Sequence, residues 1–118
     1  MAGFIGAANL LPVTVGEGAV RLADGQMLAV PPGHSPADGP AQLVLRPEHL
    51  IPADAPAPGR ALRARLDSAL FLGAVVQTRF MLGETELRVR LSPDRVRGLA
   101  VGDIVTLAVD IDRAVLVP

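Results

Sequence analysis

Cysteine and lysine are both absent from the 118 residues, as are tryptophan and tyrosine, and the aromatic set is three phenylalanines. Without cysteine there is no disulfide framework, thiolate nucleophile or sulfur-ligated metal, and two histidines cannot fill a zinc shell by themselves. All eleven basic residues are arginine. A Walker-type phosphate loop needs a lysine to reach the terminal phosphates, and a Schiff-base enzyme needs a lysine amine, so both chemistries are excluded. Serine is scarce too. Ser35, Ser68 and Ser92 lie in no nucleophile-elbow context, and His34 adjoins Ser35 in a Pro and Gly stretch unable to hold a triad rigid. Acidic side chains leave a hard-cation site open, although nothing resembles a calcium loop. We therefore expect no catalytic, cofactor-binding or metal-binding residue and no bound cofactor. A formal net charge of -1 gives no basic footprint for a nucleic-acid backbone, so no nucleic-acid partner is expected. Apolar runs never approach the 18 or so positions of a membrane span, and the amino end lacks signal-peptide order, which makes the expected location cytoplasmic.

What is present is apolar and heavily punctuated. Leu, Ile, Val and Phe supply 38 of the 118 residues, enough to build a core, while 12 Gly and 11 Pro cut the chain into short segments. GAVRLADGQMLAV at 18–30 reads as a hairpin with Val20, Leu22, Met27 and Leu28 around Asp24-Gly25. PPGHSPADGP at 31–40 and 52–59 read as loops, and Gln42 to Leu45 as a short strand ended by Arg46-Pro47. RALRARLDSALFL at 60–72 has helix-forming Ala and Leu, yet Leu62, Ala64 and Leu66 alternate with Arg63, Arg65 and Asp67. Alternation decides for a strand. Val75 to Leu82 and Thr85 to Leu91 flank a Gly83-Glu84 turn, Pro93 to Arg97 allows one helical turn, and strands follow at Ile104 to Val109 and Ala114 to Val117. The sum is an all-β fold, an OB-like antiparallel β-barrel of short strands with at most one or two helical turns, since closure removes exposed strand edges.

An internal echo points to two related halves. Phe4-Ile5-Gly6-Ala7 recurs as Phe71-Leu72-Gly73-Ala74, and each half finishes in an apolar run and Pro, LIP at 50–52 and LVP at 116–118.

FIGAANLLP at 4–12, LVLRPEHL at 43–50, FLG at 71–73 and LAVGDIVTLAVDIDRAVLVP at 99–118 stand in an order that resembles one family. This is the carboxy-terminal TOBE (transport-associated OB) domain of ATP-binding subunits from bacterial ABC importers of the polyamine, iron and maltose groups. The resemblance implies a linker-like segment over 1–12, from a preceding ATPase domain, and the barrel domain over 13–118. It also implies a non-catalytic regulatory and dimerisation role, in an importer of polyamine, phosphonate or ferric iron, the groups whose opening segment FIGAANLLP resembles more than that of the maltose importers. The implied partners are an identical subunit, the nucleotide-binding domain of the same subunit and, through the parent, the membrane permease, which would put the chain at the inner membrane's cytoplasmic face. No Walker or Ser-Gly-Gly-Gln motif occurs in these residues.

Asn9, Arg46, Pro47, Glu48, Phe71 and Gly73 carry the family signature and are the candidate interface residues. Asn9 is expected to cap its own backbone. Arg46 and Glu48 flank Pro47 at a strand end, either as a surface ion pair or as a fork offered to a partner. Gly73 is expected at a kink, bulge or close backbone approach. Arg63, Arg65, Arg88 and Arg90 read as a solvated face that becomes an anion site only if the fold makes them converge. The alternative function is a free small-ligand or oxyanion-binding protein on the same barrel. Under the importer reading the gene continues upstream of Met1 into an ATPase, and under the alternative it begins near Met1.

Overall fold

A computed structural model describes residues 8–34 and 36–118. In β1 (Asn9–Gly16), Asn9, Leu11, Val13 and Val15 point inward while Leu10, Pro12 and Thr14 face out, the period of two that places one face on a core. Residues 9–12, which the sequence reading placed in the linker-like segment, are the first half of a strand paired with β4. The Leu-Leu-Pro run obscured an alternation that only the buried partner face makes visible. Residues 1–7, with the first copy of the repeated Phe-Ile-Gly-Ala, lie outside the described residues.

The hairpin of β2 (Ala19–Leu22) and β3 (Met27–Ala29) turns through Asp24-Gly25, as its sequence predicts. The next strand, β4 (Gly39–Leu45), starts earlier than expected and takes Pro40 into its pairing, opposite Thr14. A 3-10 turn over Pro47–His49 leads into β5 (Leu50–Pro52), which the sequence reading had not separated from its loops. Pro52 is tolerable there because β5 is an edge strand. The ambiguous 60–72 stretch is strand β6 (Ala61–Leu72), with Leu62, Ala64 and Leu66 buried and Arg63 and Arg65 exposed, so burial of one face overrode local helix propensity. Strands β7 (Val75–Leu82) and β8 (Thr85–Leu91) follow, then a single helical turn α1 (Pro93–Val96), β9 (Ile104–Val109), a 3-10 turn over Ile111–Arg113 and β10 (Val115–Val117).

All strand pairs are antiparallel, and they form two five-stranded sheets, β10-β4-β1-β2-β3 and β5-β9-β6-β7-β8. The orders are one pattern applied twice. Each half of the chain builds four neighbouring strands and sends its fifth, reached through a 3-10 turn, to the far edge of the other half's sheet. LIP and LVP, the matching ends of the sequence repeat, lie at these exchanged strands. The inner faces enclose a core in which Leu11, Leu28, Leu43, Leu62, Phe80, Leu87 and Leu107 are fully buried. Each such side chain contributes about 1.5–3 kcal/mol on burial.

The seams between the sheets are bridged by side-chain amides. Asn9 on β1 donates from Nδ2 to the Arg88 carbonyl (2.7 Å) and accepts the Arg88 N–H at Oδ1 (2.7 Å), so one amide imitates a strand partner for β8. Gln26, after the β2 to β3 turn, does the same for Arg63 on β6, at 2.7 Å in each direction. The Ala29 N–H adds a bond to the Gly59 carbonyl at 2.9 Å.

Among the described residues, Glu17 is the non-glycine residue with positive φ, at 55°, in the two-residue turn between β1 and β2. Such turns favour Asn-Gly because asparagine tolerates left-handed backbone. Glu17→Asn should raise the unfolding free energy by about 0.5 kcal/mol. Urea denaturation followed by far-ultraviolet circular dichroism is the measurement, and an unmoved midpoint would show that the turn stores no strain.

Candidate functional site

The outward faces of β6, β7 and β8 collect the polar chemistry of the molecule. The register sets Ser68 opposite Arg79, Leu70 opposite Gln77, Arg79 opposite Arg88 and Gln77 opposite Arg90. With Pro47 and Glu86 these side chains line a groove of about 350 Å³. Two guanidinium groups directly across a ladder repel one another, and carboxylates intervene. Arg79 bonds Asp67 at 2.6 Å and lies 3.8 Å from Glu86, which also bonds Arg88 at 2.9 Å, while Arg65 approaches Asp67 at 3.7 Å. The result is an alternating chain of charges, each link worth about 0 to 1 kcal/mol because water screens it. A β-bulge between Leu66 and Ser68 lets Asp67 join this row.

Arg63, Arg65, Arg88 and Arg90 are all exposed, as the alternation predicts. Arg88 and Arg90 do converge on the groove, with Arg79, which the sequence reading had not singled out. The Gly83-Glu84 turn alone sets Arg79 opposite Arg88, so that pairing can be counted from the hairpin, whereas the link from Arg79 to Asp67 passes through the bulge in β6, where an extra residue defeats counting. Ser68 is in the groove without a histidine beside it, and no group of three or more metal-ligating side chains occurs among the described residues. The groove can hold a polar or anionic group by hydrogen bonds and charge; it has no nucleophile and base pair.

The remaining candidates occupy separate places. Asn9 is 6% exposed and spends its amide on the Arg88 backbone; the expected local cap is replaced by a long-range bridge. Pro47 is buried at the start of its 3-10 turn, after Arg46, which is exposed with extended backbone. Glu48 reaches Arg90 on β8 at 4.0 Å, tying the turn to the strand below it. Phe71 and Gly73 stand apart from these, at the outer end of the β6 to β7 hairpin. Gly73 has φ +80° with nothing within 4 Å of a Cβ added there, so the turn requires its backbone freedom and no close approach does. The expected kink is a hairpin turn, and the bulge lies earlier, at Leu66/Ser68. Phe71 is 61% exposed between Leu70 and Leu72, which are also exposed. Gln26 was missed altogether; its only signal was a long polar side chain directly after a tight turn.

Comparison with known proteins bears on this arrangement. The chain is 45% identical over 76 residues to the sn-glycerol-3-phosphate import ATP-binding protein UgpC of Ruegeria pomeroyi, a match covering 63% of this chain and 20% of that protein. The chain thus spans about a fifth of its relative. Its fold is that of the cytoplasmic molybdate-binding protein ModG in a molybdate-bound crystal form, with a TM-score of 0.76, 17% identity, and coverage of 93% of this chain and 96% of the other. The model of the TOBE domain family matches residues 43–117, which runs from within β4 through both exchanged strands to the end of β10. Taken with the LVLRPEHL and closing-half motifs inside that span, the match shows that this chain belongs to the TOBE domain family.

Proposed function

We propose that this chain serves as the non-catalytic regulatory and dimerisation domain of an ABC importer's ATP-binding subunit. The observation that carries the reading is the family match over 43–117 together with a relative whose name is that of an import ATP-binding protein. Its partners are then an identical subunit, the nucleotide-binding domain of the same subunit and, through that domain, the permease. The place of work is the cytoplasmic face of the inner membrane. The residues themselves agree with a supporting role: the chain carries no lysine for a phosphate loop, and its polar groove offers charge with no histidine beside Ser68. Of the transported classes considered from sequence, polyamine, phosphonate and ferric iron, the relative's named substrate is closest in chemistry to the phosphonate.

Isothermal titration of the chain with Mg-ATP should be flat, because neither charge neutralisation nor a backbone-amide cradle for phosphates is available. Sedimentation velocity between about 10 and 500 µM, a range bracketing a micromolar contact, should show weak self-association. A micromolar ATP signal, or a monomer throughout, removes the corresponding half of the proposal.

The second reading, a free oxyanion-binding protein, draws on the likeness to a molybdate-binding protein and on the arginine-lined groove. Titration with molybdate separates the two: a micromolar heat signal lost on Arg90→Ala supports the second.

A further inference from the structure

The two halves share a strand order but differ in how completely their central strands are covered. In the first half β4 pairs with β1 along its length, from Asn9 opposite Leu45 to Val15 opposite Gly39. In the second, β9 pairs with β6 only from Ala61 to Arg65. The last bonds on that side join Leu66 to Asp103 (2.9 Å) and Gly102 (2.8 Å), after which the chain turns away. Beyond the bulge, β6 has among the described residues a strand neighbour on its β7 side alone.

The two-residue turn fixes which backbone groups face the open side. Leu72 and Val75 close the hairpin, so Leu72, Leu70 and Ser68 bond toward β7, and alternation leaves the N–H and C=O of Ala69 and Phe71 pointing outward. The extra residue at the bulge explains why the outward set changes from even to odd numbers after Leu66. From Ser68 to Thr78 there is no charged side chain. Natural edge strands left to water normally carry charges or a proline that prevent pairing. Here the edge presents Leu70, Phe71 and Leu72, exposed by 57, 61 and 53%.

We propose that two copies of this chain join along the open edge of β6, antiparallel about a twofold axis that sets Leu70 opposite Leu70 of the second copy. The inference rests on the dimerisation reading above and adds to it the surface. In this register Ala69 and Phe71 of the second copy exchange both outward N–H···O=C bonds, and Phe71 and Ala69 do so across the axis, because the outward residues coincide as hydrogen-bonded pairs. The large Phe71 ring comes to stand beside the small Ala69 on the same sheet face, twice, which is the self-complementarity that a twofold contact demands. That face continues into a groove of about 610 Å³ shared by Ala69, Phe71, Leu99 and Val101. Charge permits the pairing, since the axis passes through an uncharged stretch and sets Asp67 opposite the Gly73 turn instead of another carboxylate.

The absence of cysteine makes the test clean. Leu70 faces its own copy in a non-hydrogen-bonded pair, with Cα atoms about 4.5 Å apart, within disulfide reach. The L70C variant should therefore convert to a covalent dimer under mild oxidation at least tenfold faster than M27C, which places a thiol at an exposed position on β3. Phe71→Pro removes an outward N–H that no strand pairing among the described residues uses, so sedimentation should become independent of concentration while the melting curve stays in place. If Phe71→Pro fails to fold, the L70C rate decides alone. Wild-type dimerisation with L70C no faster than M27C, or with a folded F71P that still dimerises, overturns the edge and leaves the dimerisation reading standing. A wild-type chain that remains monomeric throughout overturns both, and leaves the edge to a strand from another protein.

Discussion

Asn9→Ala lowers the unfolding free energy by about 2–4 kcal/mol, the sum of two hydrogen bonds lost from a buried site. The asparagine amide both donates to and accepts from the Arg88 peptide, and no ladder joins β1 to β8 otherwise. Alanine removes both bonds and puts no polar atom in their place, and at 6% exposure water has poor access to the gap. Gln26→Ala is the comparison. It removes the same pair of bonds to Arg63 at an exposed seam, where water replaces the amide and the loss should stay near 1 kcal/mol. Urea unfolding followed by far-ultraviolet circular dichroism measures both, since the chain has no tryptophan to report by fluorescence. Equal losses at the two positions would mean that burial does not govern the worth of these bridges.

Gly59→Val should cost about 2–3 kcal/mol, and Gly73→Val about 1–2 kcal/mol, on the scale of a β-branched residue forced into left-handed backbone. Both glycines have positive φ, +75° and +80°. The difference is space. A Cβ on Gly59 meets the Ala29 Cβ at 3.3 Å and its backbone nitrogen at 3.4 Å, beside the bond that ties β3 to the start of β6, whereas one on Gly73 meets nothing within 4 Å. Denaturation midpoints of the two variants should therefore rank in that order. A Gly73→Val variant as damaged as Gly59→Val would show that the hairpin tip is packed, contrary to its open surroundings.

These variants mark how far the sequence could be read. The β7 to β8 hairpin was legible because Gly83-Glu84 sits between two alternating arms, and β6 because Leu62, Ala64 and Leu66 keep a strict period against Arg63 and Arg65. The role of Asn9 was not legible. Its partner lies 79 residues away, and nothing local distinguishes an amide that caps its own backbone from one that bridges two sheets. The groove was legible in part: counting from Gly83-Glu84 sets Arg79 opposite Arg88, but the link from Arg79 to Asp67 crosses a register altered by one bulged residue in β6.

The sequence by itself determined the chemistry and most of the strand inventory. Composition removed whole classes of catalysis, period-two alternation and glycine turns set most of the strands, and the repeated apolar ends announced two halves. Those properties depend on residue identity and on neighbours a few positions apart. The tertiary structure decided the exchange of β5 and β10 between sheets, the amide bridges at the seams and the uncovered edge of β6. Each depends on which distant backbone groups find partners. That choice is made by packing two curved faces onto one core, where a single bulge or an early turn out of β9 changes what is left open.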